Sequence, residues 1–184
     1  NTHKFPDGLG KLIENVNALG MDFGLWVEPE MVNADSDLYR AHPDWVYHFA
    51  SRPRSLGRNQ MILNLARGDV RDAVLEQLDT LLDTYNIRFL KWDMNRSFSE
   101  PGWLAEATDP THAKDLWLRH TKAVYHMMDS LRARHPELMI ESCASGGGRV
   151  DMGILQRTDQ VWMSDNTAPY DALLMTAAYS HASA

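Results

Sequence analysis

One form recurs four times along the chain and constrains its fold more than any single residue. A short apolar run rich in β-formers ends in a polar cluster, and an amphipathic helical stretch follows. The runs are FGLWVEPE (23–30), IRFLKWDMN (87–95), LMIESCAS (138–145) and QVWMSDN (160–166). Each has strand length and is nearly continuous in apolar residues, as a strand buried on both faces of a parallel sheet must be. Between them, residues 70–86 place Val70, Val74, Leu75, Leu78, Leu81, Leu82 and Tyr85 at the three-and-four spacing of one helix face, with Asp69 as the expected N-cap. Residues 111–135 do the same with Leu116, Leu118, Val124, Met127, Met128 and Leu131; Thr111 is the expected cap and Pro136 follows the end. A further helix is expected over 8–19, with Gly20 at its C-terminus. Alternation of this kind specifies an α/β fold with a parallel sheet.

A doubly wound open sheet and a barrel both satisfy that alternation. The dinucleotide-binding open sheet needs Gly-x-Gly-x-x-Gly directly after a strand, and the chain has none. Gly146, Gly147 and Gly148 follow a strand without that spacing, and no Lys-Ser/Thr follows to make a P-loop. A barrel instead carries reactive side chains at the C-terminal ends of successive strands, which is where these runs end. The expected fold is thus α/β, with a barrel preferred to an open sheet.

Composition removes other classes. With 18 Lys+Arg against 25 Asp+Glu the net charge is −7, which argues against nucleic acid and anionic membranes as partners. The single cysteine forbids an internal disulfide. No apolar run approaches the ~20 residues of a spanning helix. The eight histidines form no His-Glu-x-x-His pair, so no metal and no cofactor is implied.

Chemistry concentrates in KWDMNR. Period-2 geometry turns Lys91, Asp93 and Asn95 to one side of a strand end and Trp92 and Met94 to the other. Converging a cation, a carboxylate and an amide is costly unless something polar binds there; the plainer alternative is a Lys91–Asp93 salt bridge. Asp165, at MSDNT, supplies a second acidic strand end, or else a helix N-cap. Two such carboxylates are the minimum equipment for glycoside hydrolysis. Glu28 and Glu30, flanking Pro29, are expected to serve the scaffold, and Arg149 to anchor the loop after the glycines through a salt bridge.

KFPDGL (4–9), GLWVEPEMVNADSDLYRAHPDW (24–45), GRNQ (57–60), KWDMNR (91–96), ESCASGGGR (141–149) and SDNT (164–167) together resemble, in order, the motif series of the α-galactosidases of glycoside hydrolase family 36. The resemblance implies a partial (β/α)8 TIM barrel and a retaining enzyme for terminal α-linked galactose, with Asp93 as nucleophile and Asp165 as acid/base. It further implies a substrate pocket formed by Trp26 as an apolar wall, Arg58 and Lys91 as donors, Asn95 near the 2-hydroxyl, and Cys143 and Gly146 around the 2-position. Lys91 should favour the ionised form of Asp93, and burial or the charge of Asp93 should raise the pKa of Asp165. Galactosyl transfer, action on N-acetylgalactosamine and an inactive carbohydrate-binding barrel share these motifs as alternatives. A complete barrel needs roughly 250 residues, so residues 1–184 are expected to be the central part, about strands 3 to 6, of one catalytic barrel incomplete at both ends. On its own such a piece should expose unpaired strand edges and show little or no activity. By the same resemblance the parent is expected to be cytoplasmic and homo-oligomeric, as a tetramer.

Overall fold

The structure, a computed structural model, describes residues 3–103 and 115–182. The elements run α1 (Gly8–Ala18), β1 (Phe23–Val27), β2 (Met31–Asn33), α2 (Asp37–Ala41), β3 (Gln60–Ile62), α3 (Gly68–Thr84), β4 (Ile87–Trp92), α4 (Leu116–Arg134), β5 (Met139–Ser142), α5 (Met152–Leu155), β6 (Gln160–Val161) and α6 (Pro169–Ala182). The four expected strands form one parallel sheet in the order β1-β4-β5-β6. Chain order equals spatial order, so the sheet lacks the reversal of a doubly wound fold and is an arc of a barrel, open among the described residues.

Each strand stops sooner than its apolar run suggests. β1 ends at Val27 because Pro29 has no N–H for the ladder, and the polar ends of the other runs turn into loops. One register line holds Trp26, Lys91, Glu141 and Gln160 side by side; the next holds Val27, Trp92, Ser142 and Val161. The line beyond is begun by Asp93, Cys143 and Trp162, whose amides donate to Val27, Trp92 and Ser142 at 2.9 Å each.

The helices cover the outer face. On α3, Val70, Val74, Leu75, Leu78 and Leu82 are buried, while Leu81 and Tyr85 pack at the margin. Asp69 is not its cap: the N-cap is Arg67, and Asp69 sits in the first turn with its carboxylate 2.6 Å from the Arg67 guanidinium. On α4 the buried face is Leu116, His120, Ala123, Val124, Met127, Met128 and Leu131. Leu118 falls outside that stripe and is exposed, because the spacing gives its expected place to His120. The Thr111 cap lies outside the described residues. Gly20 does close α1, at φ +77 with its N–H on Asn17 at 2.9 Å.

Two strands escaped the pattern. β2 and β3, three residues each, pair antiparallel at the C-terminal end of β1. They are joined by a long segment that contains α2 and returns through a two-residue turn, Arg58-Asn59, both at positive φ. Among the described residues no helix is long and apolar enough to cross a membrane.

Candidate active site

Asp93 follows the last residue of β4 and is 5% exposed. A carboxylate this buried needs donors, and the loops at the strand ends provide them. The Trp26 Nε1–H donates to Oδ2 at 2.9 Å, the Asn95 Nδ2–H donates to the same oxygen at 2.5 Å, and the Met94 amide donates to Oδ1 at 2.9 Å. The Cys143 thiol completes the set. Burial works against the charge, but the bonds from Trp26, Asn95, Cys143 and Met94 outweigh it and hold the carboxyl below its ordinary value. Burial, with Asp93 beside it, pushes the Cys143 thiol up to about 11, so it keeps its proton and acts as a donor.

Trp26 is 51% exposed, so it is no core residue: one ring edge holds Asp93 and much of the ring is open. Lys91 differs from expectation. Its partner is Glu141, one strand over in the same register line, at 2.8 Å; its ammonium also lies 3.7 Å from the centroid of the Trp162 ring. The Lys91–Asp93 salt bridge is absent among the described residues, and the ionised state of Asp93 comes from neutral donors.

The second carboxylate follows β6 by four residues. Asp165 Oδ1 accepts from Trp162 Nε1 at 2.8 Å. The expected capping duty falls to its neighbours, with Ser164 taking the Asn166 amide and Asn166 taking that of Ala168. Asp165 itself is exposed, so the described residues do not supply the burial expected for it. Each carboxylate thus receives an indole N–H, Asp93 from β1 and Asp165 from just beyond β6.

Gly146 packs against the backbone of Ser164 and Asp165. It sits at φ +82, and a Cβ there would lie 2.9 Å from the Ser164 Cα; the next amide, Gly147, donates to Met163 at 2.9 Å. Only glycine allows that approach. Gly146→Ala is therefore expected to cost about 2 kcal/mol, from left-handed strain plus the clash. A urea midpoint unmoved from wild type would contradict this.

Arg58 stands apart. It is exposed at the tip of the β3 turn at φ +55, and no described contact joins it to Asp93. Three residues matter more than the motif reading allowed. Glu141 is buried between Lys91 and Gln160, Glu28 accepts from Asn95 and Gln60, and Glu30 is fully buried against Arg149, Trp92 and His120. Glu141 had a legible signal, since it alternates with Cys143 as Lys91 does with Asp93. Among the described residues no group of three or more His, Cys, Asp or Glu is placed to hold a metal ion.

A buried carboxylate after β4 and a rim carboxylate after β6, two strands apart at the C-terminal end of one parallel sheet and each on an indole N–H, mark a candidate polar-ligand site of a β/α-barrel protein. Residues 1–181 match the Melibiase family model, and the chain belongs to that family. It is 46% identical over 167 residues to the α-galactosidase AgaA of Geobacillus stearothermophilus, covering 91% of this chain and 23% of that protein. To the α-galactosidase of Lactobacillus acidophilus it is 40% identical over 171 residues, 92% of this chain and 23% of that one. Among solved structures, the Geobacillus enzyme superposes with a TM-score of 0.91 at 44% identity over 96% of this chain and 24% of that one. The α-galactosidase of Lactobacillus brevis does so with 0.92 at 38% identity, over 98% and 24%. Variants of the Geobacillus enzyme have been solved with raffinose and with stachyose. The chain spans about a quarter of the length of these relatives.

Proposed function

We propose that residues 1–184 supply the centre of a retaining α-galactosidase barrel, hydrolysing terminal α-linked galactose from raffinose-type oligosaccharides. The observation that carries this reading is Asp93: a buried carboxylate kept ionised by four neutral donors, which among the described residues spends none of its charge on an ion pair and is free to attack. Family membership and the raffinose and stachyose complexes of a relative support the substrate class.

Asp93 attacks the anomeric carbon while Asp165 gives a proton to the departing glycosidic oxygen. Asp165 then takes a proton from the water that opens the galactosyl ester on Asp93. In a retaining pair the two carboxyl groups stand about 5–5.5 Å apart with the sugar between them. Trp26 offers its open face to the galactose ring, Lys91 and Arg58 donate to hydroxyls, and Cys143 and Gly146 crowd the 2-position. Asn95 chiefly serves as a donor to Asp93, since both of its N–H groups are already engaged. On the same family likeness we place this chemistry in a cytoplasmic homo-oligomer.

The test is hydrolysis of p-nitrophenyl α-galactoside by the full-length protein, with NMR of the first-formed sugar. α-Galactose released first is the expected result. β-Galactose first, or no hydrolysis, would refute the reading.

A further inference from the structure

Asn95 is unusual in that every hydrogen-bonding position of its side chain is occupied within the chain. Its two N–H groups go to Asp93 Oδ2 and to Glu28 Oε1, the latter at 2.7 Å; its Oδ1 accepts from the Ser145 amide and hydroxyl, each at 3.1 Å. The orientation of this amide is forced. Turned over, it would aim its N–H groups at the Ser145 amide, which can only donate, and its oxygen at the Asp93 and Glu28 carboxyl oxygens. Glu28 also accepts the Asn95 backbone amide at 3.3 Å, and its other oxygen takes the Gln60 Nε2–H at 2.5 Å. Glu28 lies one residue past β1, Asn95 three past β4, Ser145 three past β5, and Gln60 opens β3.

From this we infer that Glu28 is a positioning residue for the displacement at Asp93. It locks Asn95 in the rotamer that donates to Oδ2, and Gln60 holds Glu28 in turn. The inference rests on the galactosidase reading above and deepens it. Without Glu28, one Asn95 N–H has no acceptor, the amide is free to rotate, and Asp93 loses a fixed donor at one oxygen. Misplacing a nucleophile by about 1 Å costs on the order of 10²-fold in rate.

Steady-state kinetics of the full-length protein test this, with thermal melts to check folding. Glu28→Ala is expected to lower kcat roughly 10- to 100-fold with KM within about threefold of wild type. Glu28→Gln keeps an acceptor for Asn95, and the buried, unpartnered Gln60 Oε1 can receive its new amide, so this variant recovers most of the loss. Gln60→Leu removes only the second support and should lower kcat roughly fivefold. It tests the inference even if Glu28→Ala fails to accumulate. A folded Glu28→Ala with wild-type kcat, a change confined to KM, Glu28→Gln as impaired as Glu28→Ala, or Gln60→Leu with wild-type kcat would each overturn the positioning role. Inactive wild-type protein would overturn the galactosidase reading beneath it, which is a distinguishable result.

Discussion

Asp93→Asn in the full-length protein is expected to lower α-galactoside hydrolysis by about 10⁵-fold without unfolding it. The exchange conserves size, and its carbonyl can still accept from Trp26 and Asn95; the side facing the Met94 amide gains a conflict, costing about 1–3 kcal/mol. What disappears is the carboxylate oxygen proposed to attack. Asp93→Gly goes further, opening room for azide at the vacated position. Azide should restore turnover and yield the β-galactosyl azide, since a single displacement inverts the α-linkage. Undiminished activity of Asp93→Asn, or an α-azide product, would remove Asp93 from the nucleophile's role. The wild-type pH profile offers an independent check. Because its donors hold Asp93 below the ordinary carboxylate value of 3.8, the acidic limb of kcat/KM should set in only below pH ~4.

The parallel arc was legible because a strand buried on both faces must be apolar throughout, so each run and its polar end stood out. Period-2 alternation likewise put Lys91, Asp93 and Asn95 together, and the structure links the last two directly. Partners across strands were hidden. Sequence proximity suggested Asp93 for Lys91, whereas parallel register sets Glu141 beside it, a contact no local pattern contains. Glu28 and Asn95 are 67 residues apart, and only the adjacency of β1 and β4 brings them into contact. The β2–β3 pair was illegible for another reason: two three-residue strands are too short to display a period. On α4, counting apolar residues admitted Leu118 and passed over His120, because burial there follows helix geometry and a fixed carboxylate partner rather than hydropathy.

That carboxylate, Glu30, leads to the largest expected change in stability. It is wholly buried, taking Arg149 Nη1 at 2.6 Å and Trp92 Nε1 at 2.9 Å on one oxygen and His120 Nε2 at 2.9 Å on the other. It thereby ties the end of the glycine loop, the residue before Asp93 and helix α4 to the end of β1. Burial opposes its charge, yet Arg149 and His120 pull its pKa down from 4.5 to about 2. A carboxylate depressed in the folded state stabilises above its unfolded pKa and loses that contribution as pH falls through its folded one. The contribution, about 3 kcal/mol, should therefore be complete above pH ~4.5 and fade towards pH ~2. Arg149→Met should cost roughly 3–5 kcal/mol by stranding the buried charge, and Glu30→Gln a comparable amount by stranding the guanidinium. Combined, the two should cost clearly less than their sum, because neither then leaves an unpaired charge behind. Urea denaturation of the full-length protein at pH 7 reads the single and double variants. Repeating wild type against Glu30→Gln at stepwise lower pH should show the gap between them narrowing from pH ~4.5 downward. Strict additivity, or a gap that stays constant with pH, would show that Glu30 holds the loop by shape alone and that its charge contributes nothing.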